Sequence, residues 1–215
     1  MLKKYSAVIF VCAVMIGMLF LGACKKEQNI SGVKESVTEK SPETAEKPDT
    51  FTPEEKGDFF EAAKTGDTQT IMSFIKRGID VNMQFFTQHS CGYTALIAAI
   101  IYKNNDAVRI LLDAGANPNI QDEDNRTALI HASEVFSYLA AFDRDIIKAM
   151  LEAGADPNIK DSWGRTALMG FAQNDYRCDQ DVITMLLEAG ADPELQDNDG
   201  NTALISCTPY QDPEY

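Results

Sequence analysis

The sequence predicts an all-α array, in which two-helix units of related sequence stack side by side and a projecting turn joins each to the next. Three observations predict it. A phrase recurs along the chain: LLDAGANPNIQDEDNRTAL at 111–129, LEAGADPNIKDSWGRTAL at 151–168 and LEAGADPELQDNDGNTAL at 187–204, with a longer degenerate copy, FIKRGIDVNMQFFTQHSCGYTAL, at 74–96. Each copy carries a Gly just after an apolar helical run, where a left-handed C-cap stops a helix. Each closes on Thr-Ala-Leu, whose Thr can accept a hydrogen bond from an otherwise orphan N–H at the start of the next helix. A phrase returning at near-constant spacing is the signature of a stacked repeat.

Taken in order, residues 1–23 carry Lys3 and Lys4 and then an apolar and small-residue run from Ala7 to Ala23, with no acidic residue. That is the charged n-region and apolar h-region of a secretory signal. Its length also nearly fits a bilayer, so an uncleaved anchor competes with it. The exit of the run separates the two: Leu21-Gly22-Ala23-Cys24 resembles the bacterial lipobox, which implies cleavage before Cys24 and a lipid on its thiol. Residues from Lys25 to about Thr52 are rich in Lys, Glu, Ser, Thr and Pro, with Phe51 the single aromatic. Such a segment cannot bury enough apolar surface to offset chain entropy and is expected to be a disordered tether, spanning roughly 30 Å. The formal net charge is −14, which disfavours nucleic acid and anionic lipid as partners. Two or three acyl chains on Cys24, rather than a basic patch, would hold the protein on a membrane.

The array starts near Pro53. Phe59, Phe60, Ala62 and Ala63 belong to a first helix; Ile71, Met72, Phe74 and Ile75 follow the i, i+3, i+4 spacing of a second. Thr65-Gly66-Asp67 turns between them, with Asp67 or Thr68 as N-cap, and Gly78 ends the pair. The pieces Gly92-Tyr93-Thr94-Ala95-Leu96, Asn125-Arg126-Thr127-Ala128-Leu129, Gly164-Arg165-Thr166-Ala167-Leu168 and Gly200-Asn201-Thr202-Ala203-Leu204, alternating with Gly78-Ile79-Asp80-Val81-Asn82, Gly115-Ala116-Asn117-Pro118-Asn119, Gly154-Ala155-Asp156-Pro157-Asn158 and Gly190-Ala191-Asp192-Pro193-Glu194, resemble the ankyrin repeat over residues 53–208. The resemblance implies an ankyrin-repeat solenoid of helix-turn-helix units with projecting β-hairpin turns. Its units fall at about 53–91, 92–124, 125–163, 164–199 and a partial 200–208, followed by a tail at 209–215. Hairpin tips and inner helices would form a concave binding face.

The residue chemistry accounts for the pattern independently of the name. The Ala after each Thr lets neighbouring inner helices approach closely. Leu111 and Leu112, Met150 and Leu151, and Leu186 and Leu187 fill the groove beneath the next unit. Pro after Asp or Asn keeps the chain extended. A single unit leaves an apolar face wet, and stacking buries it. The Thr positions 94, 127, 166 and 202 are separated by 33, 39 and 36 residues against a period of about 33. Insertions are therefore expected between the helices of units three and four, near Val135–Arg144 and Asp175–Gln180. The first hairpin is also longer, with an apolar tip at Gln84–Cys91. Unit five meets Pro209 and Pro213, so its second helix is not expected to form.

The search for catalytic chemistry finds little. There is no Gly-rich phosphate loop, no G-x-S-x-G and no H-E-x-x-H, the short patterns that announce such chemistry. His131 reads as a packed helix residue. His89 and Cys91 share a tip without further ligands, and the Asp-rich tips at 122–124 and 197–199 read as solvated turns. Cys91, Cys178 and Cys207 are an odd set with no structural disulfide expected. No cofactor, metal or small-molecule substrate is expected, and the chain is not expected to be an enzyme. The expected function is recognition of a protein partner. Carrying the ankyrin geometry over, Tyr93, Tyr102, Arg126, Trp163 and Arg165 fall at exposed tip or inner-helix positions, and these residue types dominate interface hot spots. A stoichiometric inhibitor or protective partner of one enzyme or toxin is the alternative; catalysis by His89 comes last. The expected location is the bacterial cell envelope, with the outer membrane favoured because Lys25, not Asp, follows the lipidated Cys.

Overall fold

Pro53 and the acids that follow it suit the start of a helix, and helix α1 runs Pro53–Thr65 in a computed structural model that describes residues 51–87, 90–138, 144–173 and 180–206. The signal, Cys24, the tether to Thr50, His89, Cys178, Cys207 and the tail at 209–215 lie outside the described residues. Thr52 caps α1 through a box: its hydroxyl accepts from Glu55 N–H at 3.2 Å while Glu55 returns a carboxylate to Thr52 N–H at 2.9 Å. Phe51 is buried against Phe74 and lies under the Arg77 guanidinium, 4.7 Å from its ring centre, which closes the apolar end of the first unit.

Helix α2 (Thr68–Arg77) starts on Asp67, whose side chain accepts from Thr70 N–H. The chain then forms strands β1 (Gln84–Thr87) and β2 (Ser90–Thr94), antiparallel with a bulge between Phe85 and Phe86. These are the only strands among the described residues. The extra length of the first hairpin lets it pair, whereas the corresponding segments of later units make turns. Helices α3 (Ala95–Ile101) and α4 (Asn105–Asp113), α5 (Ala128–Tyr138) and α6 (Arg144–Glu152), and α7 (Ala167–Ala172) and α8 (Gln180–Glu188) complete units two to four, and α9 (Ala203–Ser206) begins the fifth.

The inner helices α1, α3, α5, α7 and α9 pack in that order, as do the outer helices α2, α4, α6 and α8. Small residues make this possible. Ala95, Ala98 and Ala99 of α3 and Ala128 and Ala132 of α5 are buried, and at Gly170 of α7 an added Cβ would sit 2.1 Å from Ser133 Oγ of α5. Between the layers lie Phe59, Ile71, Leu96, Leu111, Leu129, Met150 and Leu186, each buried, and each such side chain contributes roughly 1.5–3 kcal/mol on burial.

The caps follow the repeated phrase. Thr94, Thr127 and Thr166 accept from the N–H three residues on, at 3.2, 3.4 and 3.4 Å. The outer helices end in the same double bond each time: Gly115 N–H to Leu112 O and Ala116 N–H to Leu111 O, then Gly154 to Leu151 with Ala155 to Met150, then Gly190 to Leu187 with Ala191 to Leu186. This pair satisfies the orphan carbonyls of the last turn. Asparagines tie unit to unit: Asn119 accepts from Asp156 N–H at 2.8 Å and donates to Gly154 O at 2.8 Å, and Asn158 does the same with Asp192 and Gly190 at 2.8 and 2.9 Å. Asn104 departs from the rule. It precedes α4 without capping it, and its amide donates instead to Ala63 and Lys64 carbonyls at the end of α1, at 3.0 and 2.8 Å.

One expectation about the insertions changes. Residues 135–138 do not begin a loop; they extend α5 through Tyr138. The inserted stretch VFSYLAAFDR contains no Gly or Pro to stop an apolar helix.

Candidate functional site

The tips are built on one aspartate each. Asp122 Oδ1 accepts from Asp124 and Arg126 N–H at 2.9 and 2.8 Å. Asp161 repeats the arrangement with Trp163 and Arg165 at 2.9 and 2.8 Å, and Asp197 with Asp199 and Asn201 at 3.0 and 2.8 Å. The second carboxylate oxygen reaches the side chain four residues on: Arg126 Nε at 3.2 Å, Arg165 Nε at 2.9 Å and Asn201 Nδ2 at 3.2 Å. The tips are also joined by backbone. Glu123 N–H donates to Cys91 O, Ser162 N–H to Asp124 O and Asn198 N–H to Trp163 O, at 3.0, 2.9 and 2.9 Å. A row of tips is thereby held in fixed register from unit one to unit four.

Behind this row lies a charged cluster. His131 Nε2 is 2.8 Å from Asp122 Oδ2, and its ring meets Tyr93 edge-on with centroids 5.3 Å apart. Glu134, one turn further along α5, faces three cations or potential cations: Arg126 at 3.5 Å, Arg165 at 3.6 Å and His131 at 3.8 Å. It joins unit three to unit four. Burial pushes the Asp122 carboxyl up, but the His131 hydrogen bond and the Arg126 charge outweigh it and hold the pKa below the ordinary value. Burial alone would lower Arg126, yet Glu134 and Asp122 hold it above the usual guanidinium value. Tyr93 is pushed up to about 12, chiefly by burial, against an opposing pull from Arg126.

Two expected surface residues are therefore not at the surface. Tyr93 is 8% exposed and Arg126 is 8% exposed. Tyr93 turns inward because the aromatic edge of His131 receives it, and Arg126 because Asp122, Asp124 and Glu134 supply three carboxylates around its guanidinium. These two side chains stiffen the face from within. The acidic tip at 122–124 is corrected in the same way, because Asp122 is buried rather than solvated. Tyr102 is 55% exposed at the far end of α3, with Lys64 Nζ 5.5 Å from its ring centre, so it does not join the tips.

Trp163 is 49% exposed at the tip that closes unit three, and the guanidinium of half-buried Arg165 lies 5.1 Å from its ring centre. Phe86, on the long hairpin, is 65% exposed. The residues that sequence reasoning passed over are Glu134, which no periodicity announces, and Asp122 as an organiser. The signal for the latter is present: an Asp stands five residues before Thr127, Thr166 and Thr202, with Arg126, Arg165 or Asn201 directly before the Thr. In the long hairpin the same place is held by His89. Among the described residues no group of three or more His, Cys, Asp or Glu is arranged to hold a metal ion, and no helix is long and apolar enough to cross a membrane.

Paired helices, glycine-stopped outer helices and hydrogen-bonded tips define a helical repeat protein. The family model for ankyrin repeats (3 copies) matches residues 59–141 and 136–214, and the chain belongs to that family. Among curated proteins it is similar to the human mitochondrial disaggregase, 41% identical over 63 residues that make up 29% of this chain and 8% of that protein. It is similar to an L-asparaginase of Dirofilaria immitis, 38% identical over 73 residues, 34% of this chain and 12% of the relative. It is also similar to the ankyrin repeat, SAM and basic leucine zipper domain-containing protein 1 of Mustela putorius furo, 40% identical over 81 residues, 37% and 16% of the two chains. The chain thus spans less than a fifth of the length of these relatives. Membership of the ankyrin family marks it as a protein–protein interaction module.

Proposed function

We propose that this chain is an envelope lipoprotein of bacteria whose ankyrin units stack into a solenoid and capture a protein partner at the tips and inner helices. Cys24 carries the acyl chains, residues 25–52 act as the leash, and the outer membrane is the favoured location. No small-molecule substrate or cofactor enters this reading.

The observation that carries the binding role is Trp163. Its main chain is fixed before any partner arrives: the backbone N–H donates to Asp161 Oδ1, the backbone carbonyl accepts from Asn198 N–H, and the Arg165 guanidinium lies against the ring. Pre-fixed aromatic groups lose little freedom on binding and make effective anchors. Arg165 supports the anchor from beneath, and Tyr102 offers a second, separate aromatic contact.

Crosslinking in the native membrane, followed by identification of the captured protein, tests the reading. Trp163→Ala is expected to leave thermal stability within about 1 kcal/mol while weakening capture; undiminished capture refutes the tip surface as the docking site. The lipid half is tested separately. Mass spectrometry is expected to find acyl chains on Cys24 of the mature protein, and Cys24→Ala to release it from the membrane fraction. An unmodified Cys24 overturns the anchor and leaves the binding role standing.

A further inference from the structure

We infer that the tip row recognises a basic, extended segment of its partner, with one Arg or Lys seated on the open face of Trp163. The inference rests on the docking role proposed above and adds the chemistry of what docks.

The indole has two faces. One is covered by the Arg165 guanidinium at 5.1 Å. Arg165 is not available to leave, because Asp161 holds it at Nε and Nη2, at 2.9 and 2.8 Å, and Glu134 lies 3.6 Å away. Trp163 is nonetheless 49% exposed, and with Arg165 over one face the opposite face is the one left for a ligand to reach. An electron-rich ring face held rigidly in water, with nearby acids, attracts a cation rather than an apolar side chain.

The neighbouring charges point the same way. The cations at these tips are already engaged: Arg126 with Asp122 and Asp124, Arg165 with Asp161, and Lys160 Nζ with Gln196 O at 2.8 Å. Each engaged guanidinium is matched or outnumbered by its own carboxylates, and Glu123 and Asp199 place further exposed acids on the tips either side of Trp163. The chain as a whole carries −14. An acidic partner, nucleic acid or a second copy of this chain is repelled, and a basic protein segment is drawn in.

The register follows from the stacking. Neighbouring inner helices pack about 8–10 Å apart, and the backbone bonds between tips keep Glu123, Trp163 and Asp199 in successive units. An extended peptide advances about 3.3 Å per residue. Cations three residues apart therefore match adjacent tips, so the segment reads as basic residues spaced i, i+3.

Trp163 is the only Trp in the chain, so its fluorescence reports on the site directly. The mature protein as purified, in neutral detergent, is titrated with a blocked nonapeptide, (Arg-Gly-Ser)₃. Its controls are a peptide of the same composition with the three arginines contiguous and the (Glu-Gly-Ser)₃ analogue. The spaced peptide is expected to give a saturable change and to bind at least about fivefold more tightly than the contiguous one, with no binding by the acidic analogue. By calorimetry, Trp163→Ala is expected to weaken binding about five- to tenfold and Asp199→Asn about threefold. Glu188→Gln, an equal charge change on the exposed end of α8, is expected to leave affinity unchanged. Both tip variants are checked for native circular dichroism, and either one alone decides the matter.

Equal weakening by Glu188→Gln and Asp199→Asn overturns the proposal, because binding is then diffuse attraction to net charge. So does indifference to arginine spacing, or sedimentation showing that the surface is filled by a second copy. A captured partner that needs Trp163 but presents no basic segment refutes this inference and leaves the docking role intact. Capture that ignores Trp163 refutes both.

Discussion

Replacing Gly164 and Gly154 by Ala, one at a time, separates the cost of a backbone conformation from the cost of a contact. Both glycines have left-handed φ, +79° and +87°, so Ala at either position meets the same penalty of about 1–2 kcal/mol. Around Gly154 nothing lies within 4 Å of an added Cβ, and the penalty ends there. At Gly164 the new Cβ would sit 2.6 Å from Asn198 Oδ1, 2.9 Å from Asn198 N and 3.1 Å from Asp197 C. The side-chain oxygen can swing away, at the cost of the Asn198 amide bond to Ser162 O. The backbone nitrogen can retreat only by lengthening its bond to Trp163 O. Two hydrogen bonds at about 1 kcal/mol each bring the expected loss for Gly164→Ala to about 3–4 kcal/mol, against about 1–2 kcal/mol for Gly154→Ala. Guanidinium unfolding followed by far-ultraviolet circular dichroism measures both, read as midpoint shifts at constant slope. Equal losses would show that the tips do not press on one another, and the fixed register argued for Trp163 would fall with them.

Arg126→Ala is expected to cost about 3–5 kcal/mol, because it leaves Asp122 buried without its main cation, whereas half-exposed Arg165→Ala should cost about 1 kcal/mol or less; chemical denaturation compares the two. Tyr93 has its protonated form favoured by the fold, so its contribution is complete below pH 10 and is lost as pH rises towards about 12. That amounts to about 2–3 kcal/mol, and stability–pH curves for wild type and Tyr93→Phe should diverge only in that window. Asn119→Ala removes two bonds between units two and three, and a loss of about 1–3 kcal/mol in unfolding free energy is expected; no loss would mean the asparagine bridge is incidental.

The helices and their ends were legible in the sequence because each is decided within a few residues. A Gly after an apolar run, or a Thr before Ala-Leu, needs no knowledge of the rest of the fold, and Gly115, Gly154, Gly190, Thr94, Thr127 and Thr166 all behave as their neighbours dictate. Burial of charge is a different matter. Arg126 reads as a surface arginine until three carboxylates are brought around it, and one of those, Glu134, arrives only once α5 has formed. Tyr93 turns inward because His131 stands in the next unit, at a place where other units carry Ala98, Gly170 and Ser206. No local pattern carries that information. The stretch from Val135 differs for the opposite reason: a departure from the period reads as a loop, although it holds no Gly or Pro to stop the helix before Tyr138. At the tips the legible part was Trp163 itself, and the illegible part was the scaffold of Asp161, Arg165 and Glu134 that holds it still.

Asn104 gives the seam between the first two units an asymmetric latch. Its amide seals the end of α1 and leaves the amides of Asn105, Asp106 and Ala107 at the front of α4 without a side-chain acceptor from the cap. Deuterium should enter those three amides early, while the last turn of α1 stays protected. Tension arriving from the amino-terminal side would have to draw this side chain out of its seat before the leading helix pair could peel away, so the carboxamide adds to the hold of the Asn82 bond to Asn117 N–H and of the helices packed across that seam.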